Sequence, residues 1–212
     1  MLKALVSIPV CSAALAGILL LAGCSDSTPP PEAKTETPKK PAVPDGPITA
    51  LTAYYEIYKI ARQVAPDLQT ASITGNEVAG SKSEDGKYVQ WTVVFVSAGK
   101  RQAFTYVYTT VAHDNLLKGF NNSGSMPWAG PTRDATPFSN GDFSVDSDAA
   151  YKAAADKAAE WLAKNAGKPV TTFALGQSAQ LPAPMWYIMW GDKKAGGYAV
   201  YVNASTGKVF GK

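Results

Sequence analysis

Trp91, Phe95 and Tyr106 recur as Trp186, Trp190 and Tyr201, each 95 residues further along the chain. A sequence that repeats its large side chains at one offset is committed to building one local unit twice. Each set is preceded by a helical pattern. Between Leu51 and Ala65, Tyr54, Ile57, Tyr58, Ile60, Ala61, Val64 and Ala65 share one face, while Thr52, Glu56, Lys59 and Gln63 share the other, and Pro66 ends the run. Between Ala149 and Asn165, Tyr151, Ala154, Ala155, Ala158, Trp161 and Leu162 form a second apolar face, with Asp146 or Ser147 as N-cap. Each helix leads into a predicted strand pair, Tyr88–Val96 with Ala103–Val111 and Met185–Trp190 with Tyr198–Asn203. Ser72–Val78 and Thr171–Leu175 are predicted as further strands. The pattern therefore predicts an α+β fold of two repeats, residues 48–112 and 145–212, each a helix on a small antiparallel sheet.

All 22 aromatic residues lie beyond residue 48, so what precedes them has another purpose. Met1-Leu2-Lys3 opens an apolar run from Ala4 to Ala22 that carries no further charge, as a secretory signal does. It closes on Leu21-Ala22-Gly23-Cys24, which resembles the bacterial lipoprotein signal, and then turns abruptly polar at Ser25-Asp26-Ser27. That resemblance implies removal of residues 1–23 and lipid attachment at Cys24. Acyl chains contribute about 0.8 kcal/mol per buried methylene, enough in pairs for a stable anchor. Residues 24–47 hold seven prolines and charges of both signs, a tether composition that cannot bury a core. The expected location is the cell envelope, and in a Gram-negative cell Ser25 favours the outer membrane, facing the periplasm.

The chemistry available to such a chain is narrow. His113 is its single histidine, and Cys11 leaves with the signal, so His-based metal clusters, acid–base pairs and thiol catalysis lack their parts. Ser97-Ala98-Gly99-Lys100 has an S-x-x-K spacing but falls in a predicted hairpin turn, and Gly176-Gln177-Ser178-Ala179-Gln180 misses the last glycine of a nucleophile elbow. Asp142, Asp146 and Asp148 cluster where helix capping explains them. No cofactor or metal is expected. A formal charge of +3, scattered along the chain, does not suggest nucleic acid as a partner.

The second repeat carries a family resemblance. Val145-Asp146-Ser147-Asp148-Ala149-Ala150-Tyr151 opens its helix and Pro184-Met185-Trp186-Tyr187-Ile188 begins a strand. Tyr198 to Val209 closes it with a hairpin reading Asn203-Ala204-Ser205-Thr206-Gly207-Lys208. This order resembles PepSY-type domains, a cystatin-like arrangement found in secreted bacterial proteins, including protease propeptides. The resemblance implies a non-enzymatic module that binds or restrains an envelope protein, and it carries no catalytic residues.

Strand alternation puts Trp91, Val93 and Phe95 on one face and offers Tyr106, Tyr108, Tyr187 and Tyr201 on the other. With Trp128, in the Gly/Pro/Asn-rich connection 113–144, these form the candidate binding surface. Two alternatives stand beside it. The two repeats could bury these faces against each other, and the chain could carry a small apolar ligand between sheet and helix.

Overall fold

A computed structural model of the chain describes residues 42–210; the expected signal, Cys24 and most of the tether lie outside the described residues. Among the described residues no helix is long and apolar enough to cross a membrane. Helix α1 (Ala50–Ala61) leads into β1 (Gln69–Asn76), β2 (Gln90–Ser97), β3 (Gln102–Thr109) and β4 (Gly119–Pro127). Helix α2 (Ser147–Lys164) leads into β5 (Val170–Gly176), β6 (Met185–Trp190), β7 (Tyr198–Asn203) and β8 (Val209–Phe210).

The fold is α+β, and its strands form one antiparallel sheet rather than two small ones, in the order β4-β3-β2-β1-β5-β6-β7-β8. The halves join where β1 pairs β5 through Ser72–Gly176, Ile73–Leu175 and Thr74–Ala174. They therefore lie side by side, and the alternative of two sheet faces packed on each other does not occur.

Both helices cover the same side of this sheet. Ala150, Ala154 and Ala158 recur at i,i+4 on α2 and are at most 1% exposed; side chains this small let the helix axis approach the strands closely. Beneath the helices Trp91 and Trp186 meet edge to face with ring centroids 6.4 Å apart, and Phe173 touches both. A buried indole needs an acceptor. Trp91 Nε1 donates to the Ile48 carbonyl and Trp186 Nε1 to the Val145 carbonyl, each at 2.9 Å, which pins the chain just ahead of each helix to its sheet.

The helix N-termini also meet. Thr49, the N-cap of α1, makes no capping bond with its side chain. The first amides of α1 are satisfied from the other half instead. Ala50 N–H donates to Ser147 Oγ at 2.9 Å and Leu51 N–H to Asp146 Oδ1 at 3.0 Å. The same carboxylate accepts the Ser147 amide at 2.7 Å, so one acidic start serves two helices.

Several expectations are corrected. Helix α1 stops at Ala61, because Gln63 and Val64 turn back tightly onto the Ile60 and Ala61 carbonyls before Pro66. The connection 113–144 contains a full strand, β4, which borders β3 from Gly119 to Pro127. The common offset of 95 fails by one residue in the last strands. Val93 faces Tyr106 whereas Ile188 faces Val200, so Val200, not Tyr201, corresponds to Tyr106. The remainder of the connection wraps the body: Phe138 exchanges both backbone bonds with Thr70, and the Tyr54 hydroxyl bonds Thr70 Oγ1 and Asn140 Oδ1. Burial holds the Tyr54 phenol far above its usual pKa, so this link stays neutral.

Candidate functional site

None of the eight strands contains Asp, Glu, Lys or Arg. On the helix-facing side that is ordinary core chemistry. On the other side it is not, because among the described residues no helix covers that face and water normally selects charge there. One continuous cross-strand row traverses it: Asn121–Val107–Thr92–Thr74–Ala174–Tyr187–Tyr201–Phe210. Residues directly opposite in an antiparallel pair share a face, so this row crosses the whole of that side, from buried Val107 at 6% exposure to the exposed aromatic end.

Its relief is uneven. Tyr187 and Tyr201 contact each other with centroids 5.0 Å apart, and Tyr201 and Phe210 are 37% and 46% exposed. Across β1 and β5 the row drops to Thr74 and Ala174. Beside them an open groove of about 380 Å³ is lined by Ser72, Ala174, Leu181, Met185 and Tyr187 and by one charged residue, Asp134, from the connection. Among the described residues the Tyr187 hydroxyl has the Met189 sulfur as its acceptor, at 3.4 Å. Partial burial, and then the neighbouring Tyr201, raise its pKa above the usual phenol value, so this hydroxyl stays neutral at physiological pH.

The sequence-derived surface is divided by this geometry. Tyr187 and Tyr201 stand together on the open face. Tyr106 and Tyr108 do not join them; they are 2% and 5% exposed on the helix-facing side. The reason is register, since Tyr106 sits opposite Val93 and Tyr108 opposite Trp91, both of which point to the helices. Trp128 follows β4, half-buried, with its amide on the Arg101 carbonyl. Phe210 is the residue that periodicity missed. The final hairpin could have revealed it, because a Thr-Gly turn at 206–207 returns the chain alongside Tyr201.

Other groups are accounted for structurally. His113 Nε2 lies 2.6 Å from Gln90 Oε1 and its Nδ1 lies 3.2 Å from Asp114. The Ser97 hydroxyl donates to Asp67 at 2.6 Å and accepts the Lys100 amide at 3.0 Å. It ties a turn and is not poised as a nucleophile. Asp142 and Asp148 accept the Ser139 and Ala149 amides, each at 2.7 Å. Among the described residues no three His, Cys, Asp or Glu side chains come together to hold a metal ion.

Asp67 makes a prediction of its own. The Ser97 hydroxyl and then the Gly99 amide hold its carboxyl below the ordinary carboxylate range. A group depressed in the folded state stabilises the fold above its unfolded pKa, and that contribution disappears as pH falls through the folded value. Asp67→Asn is therefore expected to flatten the acid limb of the stability profile below about pH 4, leaving the slope above pH 6 unchanged. Urea titrations at stepped pH check this, and an unaltered acid slope contradicts it.

Comparison of the chain with protein-family models, with curated proteins and with solved structures finds no match in any of the three.

Proposed function

We propose that this chain is a membrane-anchored envelope lipoprotein whose folded part is a non-catalytic protein-binding module of two PepSY-like units. Its binding surface is the open face of the sheet. The observation that carries this reading is the charge-free row from Asn121 to Phe210. Depletion of charge with enrichment of Tyr, Phe and Met marks the core of protein–protein contacts. The two-unit reading draws on the shared order of one helix and four strands. It also draws on bulges at Thr70/Ser72 and Val170/Thr172, and on the two Trp-to-carbonyl bonds. The anchor reading rests on Leu21 to Cys24. The alternative of an apolar-ligand carrier has less support, because Trp91, Phe173 and Trp186 fill the space between sheet and helices.

Photocrosslinking in the native cell tests the surface. A photoreactive phenylalanine at Tyr201 is expected to form a protein adduct, whereas one at Tyr55, 55% exposed on α1, is not. No adduct from position 201, or equal adducts from both, overturns the reading. Intact mass of the mature chain tests the anchor: an unmodified N-terminus ahead of Cys24 contradicts it.

A further inference from the structure

We infer that the partner seated on the open sheet face is a second copy of this chain, docked sheet on sheet about a two-fold axis running parallel to the strands. This rests on the reading of that face as the binding surface and names what occupies it. Charge comes first. Partners that must find one another among many are steered and discriminated by complementary charge, whereas the strands of this face carry none of either sign and its groove is lined by one charged side chain, Asp134. Homodimer contacts are the class in which apolar, charge-depleted surface dominates.

Relief is the second argument. In the cross-strand row Tyr187, Tyr201 and Phe210 stand high in one half, while Thr74, Thr92 and Val107 lie low in the other. Thr74 and Ala174 pair at the middle of the row. A two-fold axis parallel to the strands over that point reverses the row, so the aromatic half of each copy covers the low half of the other. The contact is isologous, as closed two-fold symmetry requires. Size is the third. Eight strands at about 4.8 Å spacing and roughly 20 Å of strand length give a face on the order of 700 Å². A standard interface needs about 800 Å² per partner, and aligned packing of twisted sheets at about −30° brings such faces together.

The full-length chain, extracted in mild detergent, is prepared with the photoreactive residue at position 201 or 55 and mixed with a differently tagged copy. An adduct of two copies from position 201, mapping to the Gln90–Ser97 or Gln102–Thr109 strands near Val107 of the partner subunit, supports the proposal. Two copies sharing a micelle would link equally from position 55, and equal signals overturn it. An adduct at position 201 that contains a different protein also overturns it, while leaving the surface itself in place. No adduct at all removes both. A second measurement uses Tyr201→Lys, which places an unpaired charge in the aromatic half that covers the low half of the other copy. Self-association followed by sedimentation is expected to weaken about 100-fold or more, with the folded circular-dichroism spectrum retained and with Tyr55→Lys unchanged. A chain that sediments as a single copy at every concentration up to about 100-fold above its crosslinking concentration overturns the proposal.

Discussion

Gly86→Ala is expected to destabilise the protein by about 3–5 kcal/mol, more than any comparable glycine substitution in the loops. Gly86 has φ +81°, and a Cβ built there would lie 2.4 Å from the Ser147 carbonyl oxygen and 2.8 Å from the Tyr151 Cβ. Two costs combine. A left-handed backbone costs a side chain of order 1–3 kcal/mol, and insertion of a methyl group into a packed contact costs about as much again. The obstacle is backbone, at the first turn of α2, and cannot rotate aside. Moving Ser147 also disturbs the hydroxyl that accepts the Ala50 amide, so strain in a first-half loop reaches the start of both helices. Gly80 supplies the control, with φ +80° and nothing within 4 Å of its added Cβ. Urea midpoints of the two variants separate the terms. Equal losses for Gly80→Ala and Gly86→Ala would show that the loop does not press on α2.

How far the sequence reveals this arrangement depends on where each element gets its stability. Strands β6 and β7 are legible to the residue, because Met185–Trp190 and Tyr198–Asn203 are bounded apolar runs flanked by Gly191, Gly196 and Gly197. Strand β4 is not. Gly-Phe-Asn-Asn-Ser-Gly-Ser-Met-Pro has no alternation to read, since it is an edge strand held by its backbone pairing to β3. The faces of Tyr106 and Tyr108 depend on register, and the hairpin in the second half is one residue shorter than the sequence match suggests. The capping of α1 by Asp146 and Ser147 has no local signature at all. Both residues are legible as the start of α2, but their second use arises from tertiary contact. In the candidate site, the absence of charge from every strand is plain in the sequence once the strands are known. Its significance comes only from the topology, in which both described helices lie on one side of the sheet.

Trp186→Ala is expected to cost about 3–5 kcal/mol, a large share of the 5–15 kcal/mol that holds a typical domain. Trp186 is fully buried and touches Trp91 and Phe173 across the junction of the halves. Its loss leaves a cavity and orphans the Val145 carbonyl that its indole satisfies at 2.9 Å. Trp186→Phe keeps much of the volume and loses the bond, so about half that cost is expected. What the comparison decides is cooperativity. One contiguous core holds Ile57 and Phe95 from the first half together with Ala154 and Trp190 from the second. Ile73 and Leu175 pair directly in the sheet above it. Damage at Trp186 should therefore lower a single thermal transition, by about 2–4 °C per kcal/mol for a body of this size. Trp91→Ala should lower the same transition, and the double variant should fall short of additivity because the two rings touch. Two transitions, only one of them moved by each substitution, would mean that the halves fold independently and that the continuous sheet is a docking of two domains.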